Sequence, residues 1–546
     1  MNRTINIAAM IYALSILLSR VVGLAREFVI GRVLGDSPEA DVYWVAFILP
    51  DFLNYLLAGG ALSLVLIPLL QAAQQEAGSQ AYWRCFWRIS TPISLLIISM
   101  TALLWVVTPQ LVNLIAPGFD LIQNDLLIRL TRIILPAQIF HVCGGLISST
   151  LQAQDRHLAP ALAPLLYTGT IIVCGLSLGP SIGAEGFAWG VLLGSFLGPF
   201  LCPLFASRSL GLRLSPRWEI NHREVKVYLW RALPVMLGFS IVVLDDMLVK
   251  RGATELGGGV TSQLHYARSL MKVPMGVFGL AMGMATFPSI SRLIAQNKSS
   301  EALDLLRSAC EVLLVLVGLS QTALMVGGSL AARLIWGGGR LSPEGVEGIG
   351  VYCAVLSLGL WAWSMQGLVA RGFYAKGQTW APTLIGSVVA LSLYPIYQWS
   401  AHTGVETMKS LILSLSTHPP FDDLKLLAER PGLCLAITSS LAISLYVTAL
   451  WVALSKSFKV PAVPSLTRLL ILLFKIEAAA LLASTITEML FSIEHGEGIF
   501  AILLSLGLRS LLACSLFLSS CLLFKVEGTK VLKDRIFARF QAKKES

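Results

Sequence analysis

The first apolar stretch of the chain carries charged and small residues where a membrane-spanning helix is normally apolar. Ser19, Arg20 and Gly23 are followed by Arg26 and Glu27. On an ideal helix these five positions fall within an arc of about 120°. A charge in the middle of a bilayer costs at least a few kcal/mol, so a residue of this kind indicates a functional site. The pattern predicts a helix with one cationic, small-residue face that lines a water-filled cavity and binds an anion there.

A second cationic position lies in the middle of the chain. Arg268 precedes Lys272 by four residues, and like charges at that spacing repel each other unless an anion or a carboxylate lies between them. The planar guanidinium donates paired hydrogen bonds that match phosphate oxygens. An alternative is that Arg268 neutralises Asp245 or Asp246 in the preceding apolar stretch. Both interpretations hold if the ion pair breaks when the anion arrives.

The elements that must position these residues are membrane spans. Of 546 residues, 55% are hydrophobic and 13% are charged, whereas an average soluble chain has roughly twice that charged fraction. The first apolar stretch is expected to be a span rather than a cleaved signal peptide, because it leads into arginines and further spans follow. Apolar stretches of about 20 residues, each long enough to cross a bilayer, recur along the chain. They predict an all-α polytopic membrane protein with about fourteen transmembrane helices, which begin near residues 8, 42, 86, 124, 159, 186, 226, 262, 302, 342, 381, 432, 466 and 497.

Lysine and arginine are distributed unevenly over the predicted loops. The linker at 208–225 and the tail at 526–546 are rich in them, whereas the short loops 178–185 and 493–498 contain neither. Basic loops remain on the cytoplasmic side of a membrane. Both termini are therefore predicted to be cytoplasmic, which agrees with an even number of spans. The net charge of +10 then reflects membrane topology, and no nucleic-acid partner is expected.

Two pairs of similar segments indicate an internal repeat. Gln152–Pro160 resembles Tyr374–Pro382 at an offset of 222 residues. Gly59–Pro68 resembles Gly279–Pro288 at an offset of 220 residues. Repeats in the same orientation are typical of transporters, whose substrate site lies where the repeats meet. The predicted domains are an N-terminal six-helix lobe at 1–207, a cytoplasmic linker at 208–225, a C-terminal six-helix lobe at 226–455 with a polar insertion near 403–430, two extra helices at 456–525 and a basic cytoplasmic tail at 526–546.

Several segments resemble the MurJ (MviN) family of lipid II flippases. The run Ser19–Gly35, continued by Ala40–Tyr43 and Ala46–Pro50, is similar to the opening of that family. Tyr266–Ser289 is similar to its eighth helix, and Arg371–Ala375 to its tenth. The resemblance implies a fold of the MOP exporter superfamily, in which two six-helix lobes form a V around a cationic cavity. The last two helices would form a groove for a lipid tail.

The resemblance also implies a function. The family's substrate is the undecaprenyl-pyrophosphate-linked disaccharide-pentapeptide, the lipid-linked precursor of peptidoglycan. It is moved from the inner to the outer leaflet of the bacterial cytoplasmic membrane by alternating access. The protein would be a transporter and not an enzyme, with no cofactor, and its partners would be this lipid, the membrane lipids and peptidoglycan synthases.

The candidate site residues are those that face the pyrophosphate, where such a substrate carries its densest charge, and those that gate access to it. Arg32 lies near the outer end of the first helix and is expected to be a snorkelling anchor. Asp41 begins the second helix, where it either pairs across the external mouth or caps a helix. The predicted substrate-binding residues are Arg20, Arg26, Arg268, Ser19, Glu27 and Lys272, and the predicted gating or ion-coupling residues are Asp41, Asp245 and Asp246.

The chain departs from the family pattern in its second helix. Asn54 stands where the family usually has an arginine, and Gly59 stands where it usually has a glutamate. Asp51 replaces a customary asparagine. The second helix is therefore less basic than is typical. Some relatives hold sodium at the eleventh helix, but residues 381–400 contain no acid and no asparagine, so a sodium site is not expected here.

The segment 403–430 is too polar to span a membrane. It is expected to be an external loop inserted between the eleventh and twelfth helices, and residues 411–413 could form an amphipathic surface helix within it. A plain linker is the alternative.

Two other functions remain open from the sequence. The chain could export another lipid-linked oligosaccharide or drugs, although an exporter of cationic drugs should carry acids rather than arginines in its first helix. It could also be a polyprenyl transferase, since Asp245-Asp246 resembles a magnesium-binding pair, but no third acid follows at suitable spacing. No phosphate-binding loop of the ATPase type occurs. The nine cysteines are scattered without metal-ligand spacing, so no metal site is predicted.

Overall fold

A computed structural model describes residues 18–19, 21–58, 61–237, 240–415, 429–491, 498–526 and 528–529. Arg20, Gly59, residues 416–428 of the predicted insertion and residues 530–546 of the predicted tail lie outside the described residues. Within the described ranges every regular element is a helix. The helices are α1 (residues 21–34), α2 (Pro38–Val45), α3 (Ile48–Ala58), α4 (Ala61–Ile115), α5 (Leu121–Ile134), α6 (Ala137–Gln152), α7 (Leu158–Ile182), α8 (Ala184–Ser195), α9 (Cys202–Arg208), α10 (Arg223–Leu237), α11 (Ser240–Ala253), α12 (Val260–Pro274), α13 (Leu280–Ala295), α14 (Ser299–Trp336), α15 (Pro343–Ser357), α16 (Leu360–Ala375), α17 (Trp380–Ala401), α18 (Thr403–Leu415), α19 (Leu433–Ser457), α20 (Ala462–Leu490) and α21 (Ile499–Leu523).

The prediction of an all-α membrane protein with many spans is confirmed. Ten helices in the described part of the chain are long and apolar enough to cross a membrane, and α15 with α16, which meet at a bend of 45°, make an eleventh. The predicted count of fourteen is thus approximate. Most of the predicted span near residue 8 lies outside the described residues. The predicted spans near residues 42 and 226 fall on α2 with α3 and on α10 with α11, where the described helices are short or interrupted.

The longest helix is bent where its sequence requires it. Within α4, Ala77 has φ −146° and ψ 24°, and Gly78 has φ 72° and ψ −165°. A residue with a Cβ atom would be strained at that φ and ψ, so glycine is the residue that allows the turn. The bend divides α4 into two helical segments, and the third predicted span, which begins near residue 86, lies in the second of them.

The chain divides into two compact units. The first contains the described residues up to Ser262 together with Gly338–Leu341, and the second contains Gln263–Gly337 and the described residues from Ser342 onwards. The predicted lobes instead divide at the linker 208–225. The predicted lobe boundaries therefore remain a prediction, and the two units are described separately below.

A row of glycines holds together the centre of the first unit. Gly186, Gly190, Gly194 and Gly198 recur every four residues along α8 and the π-helical turn that follows it. A Cβ atom at Gly198 would lie 2.3 Å from the carbonyl oxygen of Ala163 on α7, and the other three would also approach α7 backbone atoms at 2.7–2.9 Å. Glycine at this spacing allows helix backbones to approach closely in a membrane. The row therefore specifies the α7–α8 contact.

In the second unit α14 is the central helix, and it packs against α13, α15, α16, α20 and α21. Its C-terminal Trp336 is buried against Tyr266 of α12, with ring centroids 4.8 Å apart. This contact fixes α12 in the unit. The helix therefore carries Arg268, two residues further on, into the buried interior.

Candidate functional site: buried charges of the two units

Arg26 and Glu27 lie on α1 and form an ion pair. The Arg26 Nη2 and Glu27 Oε1 atoms are 2.6 Å apart, and the side chain of Arg26 is 28% exposed, whereas that of Glu27 is 9% exposed. The Nε atom of Arg26 is buried and has no hydrogen-bond partner among the described residues. The hydroxyls of Tyr43 and Tyr167 lie within electrostatic range of the guanidinium. Arg26 therefore keeps donor capacity for an anion while one of its arms is held by Glu27.

The other residues of the predicted cationic face of α1 differ in their exposure. Arg20 lies outside the described residues, and Ser19 is half-buried. A Cβ atom at Gly23 would have no neighbour within 4 Å, so the face is open at that position. Arg32 is exposed and its guanidinium lies 5.0 Å from the centroid of the Phe28 ring on its own helix. Its placement over Phe28 suits a surface anchor.

Asp41 on α2 is buried and caps the start of α12. Its carboxylate accepts hydrogen bonds from the backbone N–H of Gly259, at 2.6 Å, and of Ser262, at 2.7 Å, and a further one from the Ser262 hydroxyl. The first helical N–H groups lack partners within their own helix and carry a partial positive charge. The N-cap of α2 itself is Ser37, whose hydroxyl accepts from Ala40 N at 3.2 Å. Asp41 therefore links the start of the second predicted span to the start of the eighth.

The two adjacent acids of α11, Asp245 and Asp246, differ in their exposure. Asp245 is buried, whereas the side chain of Asp246 is 30% exposed. Asp246 forms an ion pair with Lys250, one turn further along the same helix, and Oδ2 of Asp246 lies 2.8 Å from Nζ of Lys250. Lys250 is itself buried. Asp246 therefore neutralises a lysine locally. The predicted pairing of Asp245 or Asp246 with Arg268 stays a prediction.

Arg268 is buried in the second unit. Its Nη2 donates to the Ser439 hydroxyl at 2.9 Å, and its guanidinium carbon lies 5.7 Å from the centroid of the Trp363 ring. That distance is within the range of a cation–π contact. Lys272, one turn along, is exposed. The predicted pair of cations thus consists of one buried and one accessible side chain.

Sequence reasoning missed two polar contacts inside the apolar spans. His141 on α6 bonds the Ser195 hydroxyl at 2.9 Å and lies edge-on to Tyr167, with ring centroids 5.2 Å apart. In the second unit, Gln321 donates to Glu477 at 2.6 Å. In the sequence His141 is an isolated polar residue in an apolar run and Gln321 lies between Ser320 and Thr322, and nothing local indicated the partner of either. Among the described residues no group of three or more His, Cys, Asp or Glu side chains is placed to hold a metal ion.

A third missed contact lies on the linker. Arg88 on α4 donates to Glu219 at 2.6 Å and to Glu224 at 3.3 Å. Partial desolvation raises the pKa of Glu219, but hydrogen bonds from Arg88 and Arg217 and their charges outweigh it and hold that pKa below its usual range. The predicted linker is thereby attached to α4.

Comparison with known proteins decides the family. The profile of the family described as "Lipid II flippase MurJ" matches residues 30–508. The chain belongs to the MurJ family. The resemblance predicted from its motifs is therefore confirmed.

Individual members of the MurJ family are similar over most of the chain. The lipid II flippase MurJ of Burkholderia cenocepacia is 28% identical over 409 residues, which cover 71% of this chain and 78% of that protein. The probable lipid II flippase MurJ of Rhizobium meliloti is 26% identical over 487 residues, which cover 84% of this chain and 89% of that protein.

Solved structures agree on the fold. A lipid II flippase MurJ in an inward closed conformation superposes with a TM-score of 0.70 at 20% identity, over 94% of this chain and 99% of that one. An inward-facing multidrug transporter of the MATE family, from the MOP superfamily, gives a TM-score of 0.58 at 13% identity, over 79% of this chain and 95% of that one. The chain therefore shares its fold with both structures, which agrees with the fold that its motifs predicted.

Proposed function

We propose that this protein is a lipid II flippase. It carries the undecaprenyl-pyrophosphate-linked disaccharide-pentapeptide from the inner to the outer leaflet of the bacterial inner membrane, by opening alternately to the two sides. The observation that carries the proposal is the family match over residues 30–508. Membership in a family of transporters also favours transport over an enzymatic reaction. Both termini are cytoplasmic in this proposal, and peptidoglycan synthases are the partners that consume the product.

The pyrophosphate is recognised by arginine. Arg26 supports this role because its Nε lacks a partner among the described residues and part of its side chain is accessible. A guanidinium in a site of low dielectric constant stabilises a phosphate anion more than it would in water. Glu27 orients Arg26 through their ion pair. Arg20 and Arg268 are further candidate donors.

Access to the site is gated where Asp41 caps α12. Release of this cap would leave the N-terminal amides of α12 without an acceptor, which costs free energy. Opening therefore requires that substrate binding supply a compensating free energy. A Cβ atom at Gly258 would lie 3.6 Å from Cγ of Pro38, and Gly258 has no positive φ. The pair Pro38→Cys and Gly258→Cys should therefore form a disulfide that keeps the cap closed.

The crosslink should stop flipping, and a reductant should restore it. The single variants Pro38→Cys and Gly258→Cys are the controls and should flip at the parental rate under the same oxidant. If the crosslinked double variant still flips at that rate, the cap is not a gate.

The decisive test of the function is complementation. Expression of the full chain should restore growth and shape to bacteria depleted of their own lipid II flippase. In vesicles with the purified protein, labelled lipid II should become accessible in the opposite leaflet. If vesicles move a cationic drug or another lipid-linked oligosaccharide but not lipid II, the chain is an exporter of the same superfamily instead.

A further inference from the structure

A carboxyl group lies in the middle of α20. The part of this helix that is long and apolar enough to cross a membrane is Pro464–Leu490, and Glu477 is equally far from both of its ends. Its Oε2 atom accepts one hydrogen bond, from Nε2 of the fully buried Gln321 on α14, at 2.6 Å. A charged carboxylate at that depth costs at least a few kcal/mol, so an intramembrane acid is a candidate for function.

The helices around this pair are in close contact. Gly318 lies one turn before Gln321 on α14, and a Cβ atom there would lie 2.5 Å from the Phe517 ring and 2.8 Å from Cγ2 of Ile476. The contact brings α14, α20 and α21 together at the level of Glu477. The carboxyl group is thereby held in a tight junction of three helices.

Two oxygen atoms in this junction are unsatisfied. Oε1 of Glu477 and Oε1 of Gln321 are both buried and have no hydrogen-bond partner among the described residues. Burial of a carboxylate oxygen without a partner is costly. A proton on Oε1 of Glu477 would remove the charge and turn that oxygen into a donor.

The polar groups that flank the pair on α14 and α21 are already bonded elsewhere. On α14, the hydroxyls of Ser320 and Thr322 donate to carbonyls of their own helix. On α21, Cys514 donates to the carbonyl of Leu319, and Phe517 supplies only a ring. α19 approaches α20 at Ser465, three turns away, where Trp451 bonds it. None of these groups brings a charge to the carboxyl group.

The charged residues of α20 itself are directed elsewhere. Lys475 precedes Glu477 by two residues and therefore points about 160° away around the helix. Glu488, three turns further along, pairs with Arg509 at 3.4 Å. Within the described residues Glu477 has no ion pair that would compensate for ionisation.

We propose that Glu477 is a proton-binding site, with H⁺ as its ligand and Gln321 as its hydrogen-bond partner. A proton from water adds to a lone pair of Oε1 and leaves again to water, with no other bond made or broken. The proton is held while α14 and α20 are packed as observed, and it is released when water reaches the junction. The role in coupling rests on the proposed flippase function, because protonation would then bias the helices at which the lipid tail is expected to bind.

Infrared spectroscopy of the full chain in lipid vesicles tests binding without any transport. The wild type should give a carbonyl band of a protonated carboxylic acid at neutral pH. The band should be lost in Glu477→Gln and retained in the matched control Glu488→Gln. Gln321→Leu, which removes the donor to Oε2, should shift the titration of the band to higher pH. If Glu477→Gln leaves the spectrum unchanged, the proposal is wrong.

Transport then tests the coupling. Flipping of lipid II by the wild type should change at least about threefold between pH 6 and pH 8, and Glu477→Gln should flatten that dependence. A dependence that survives Glu477→Gln would overturn the coupling role. If the band behaves as expected but the wild-type protein does not flip lipid II at any pH, the proton site stands and the proposed function fails.

Discussion

Arg26 in the first unit and Arg268 in the second are both arginines inside apolar helices, and the structure gives them different surroundings. Arg26 is partly accessible, is held at one arm by Glu27 and has a buried Nε without a partner in the described residues. Arg268 is buried, bonds the Ser439 hydroxyl and lies over the Trp363 ring. The first is suited to receive an anion, and the second also contributes to packing. Burial and bonding, rather than residue type, therefore separate a binding role from a structural one.

The largest expected effect is at Arg26. Arg26→Ala should abolish complementation and slow flipping about 10- to 100-fold, because hydrogen bonds to charged groups contribute about 1.5–3 kcal/mol. Arg26→Lys should retain only part of the wild-type flipping rate, since an ammonium lacks the planar paired donors of a guanidinium. Membrane expression should be unchanged, and the variant that combines Arg26→Ala with Glu27→Gln, which also removes the charge of the buried Glu27, should unfold at the wild-type temperature. Arg32→Ala on the same helix is the control, and an equal loss of flipping there would remove the distinction between the two positions.

Arg268 should lose both flipping and stability. Arg268→Ala removes the hydrogen bond to the Ser439 hydroxyl and the contact with the Trp363 ring, so we expect a lower unfolding temperature as well as slower flipping. Ser439→Ala removes the acceptor of the hydrogen bond from Arg268, and loss of that bond should cost about 1 kcal/mol. Thermal unfolding in detergent and flipping in vesicles measure the two parts. If Arg268→Ala flips slowly at an unchanged unfolding temperature, Arg268 behaves like Arg26 and the comparison fails.

The ion pair on α11 should have a smaller effect. Asp246→Asn leaves the buried Lys250 without its carboxylate and should destabilise the protein by roughly 1–3 kcal/mol, less than for a fully buried pair, because Asp246 is partly exposed. The double variant Asp246→Asn with Lys250→Met removes both charges and should recover most of the loss. If the double variant flips lipid II at the wild-type rate, Asp246 does not couple ions.

The smallest effect is expected at Arg88, which bonds both Glu219 and Glu224. The pKa of Glu219 lies below its ordinary 4.5, so its ionised form stabilises the attached linker. That contribution is complete above pH 4.5 and fades as the pH falls through the lower value. Proteolysis of the linker in the folded protein should therefore increase only below about pH 4.5.

Two controls accompany that experiment. Arg88→Gln should make the linker equally sensitive at all pH values. His222→Gln separates the effect from protonation of His222, which lies 3.3 Å from Glu224. Equal protection of the wild-type linker at pH 3 and pH 7 would contradict the prediction.

The sequence predicted those features that depend on composition or on neighbours along the chain. Apolar stretches predicted the spans, and adjacency placed Arg26 and Glu27 on one helix, whereas their ion pair is found only in the structure. The Asp246–Lys250 pair, at i and i+4, has a spacing that favours an ion pair on one helix face.

Other contacts left no sequence signal. Asp41 bonds backbone amides more than 200 positions away, and a backbone amide has the same chemistry whatever its side chain. Gln321 and Glu477 are 156 positions apart, and neither has a polar neighbour that would indicate the other. Such pairs require the packing of whole helices, which hydropathy does not specify.

The glycine row of α8 has a mechanical consequence. Where two helices touch backbone to backbone, no rotatable side chains lie between them to yield under load. The α7–α8 pair should therefore resist bending and shear more than pairs separated by leucine and phenylalanine side chains. Any displacement applied at one end of this pair is carried to the other end with little loss.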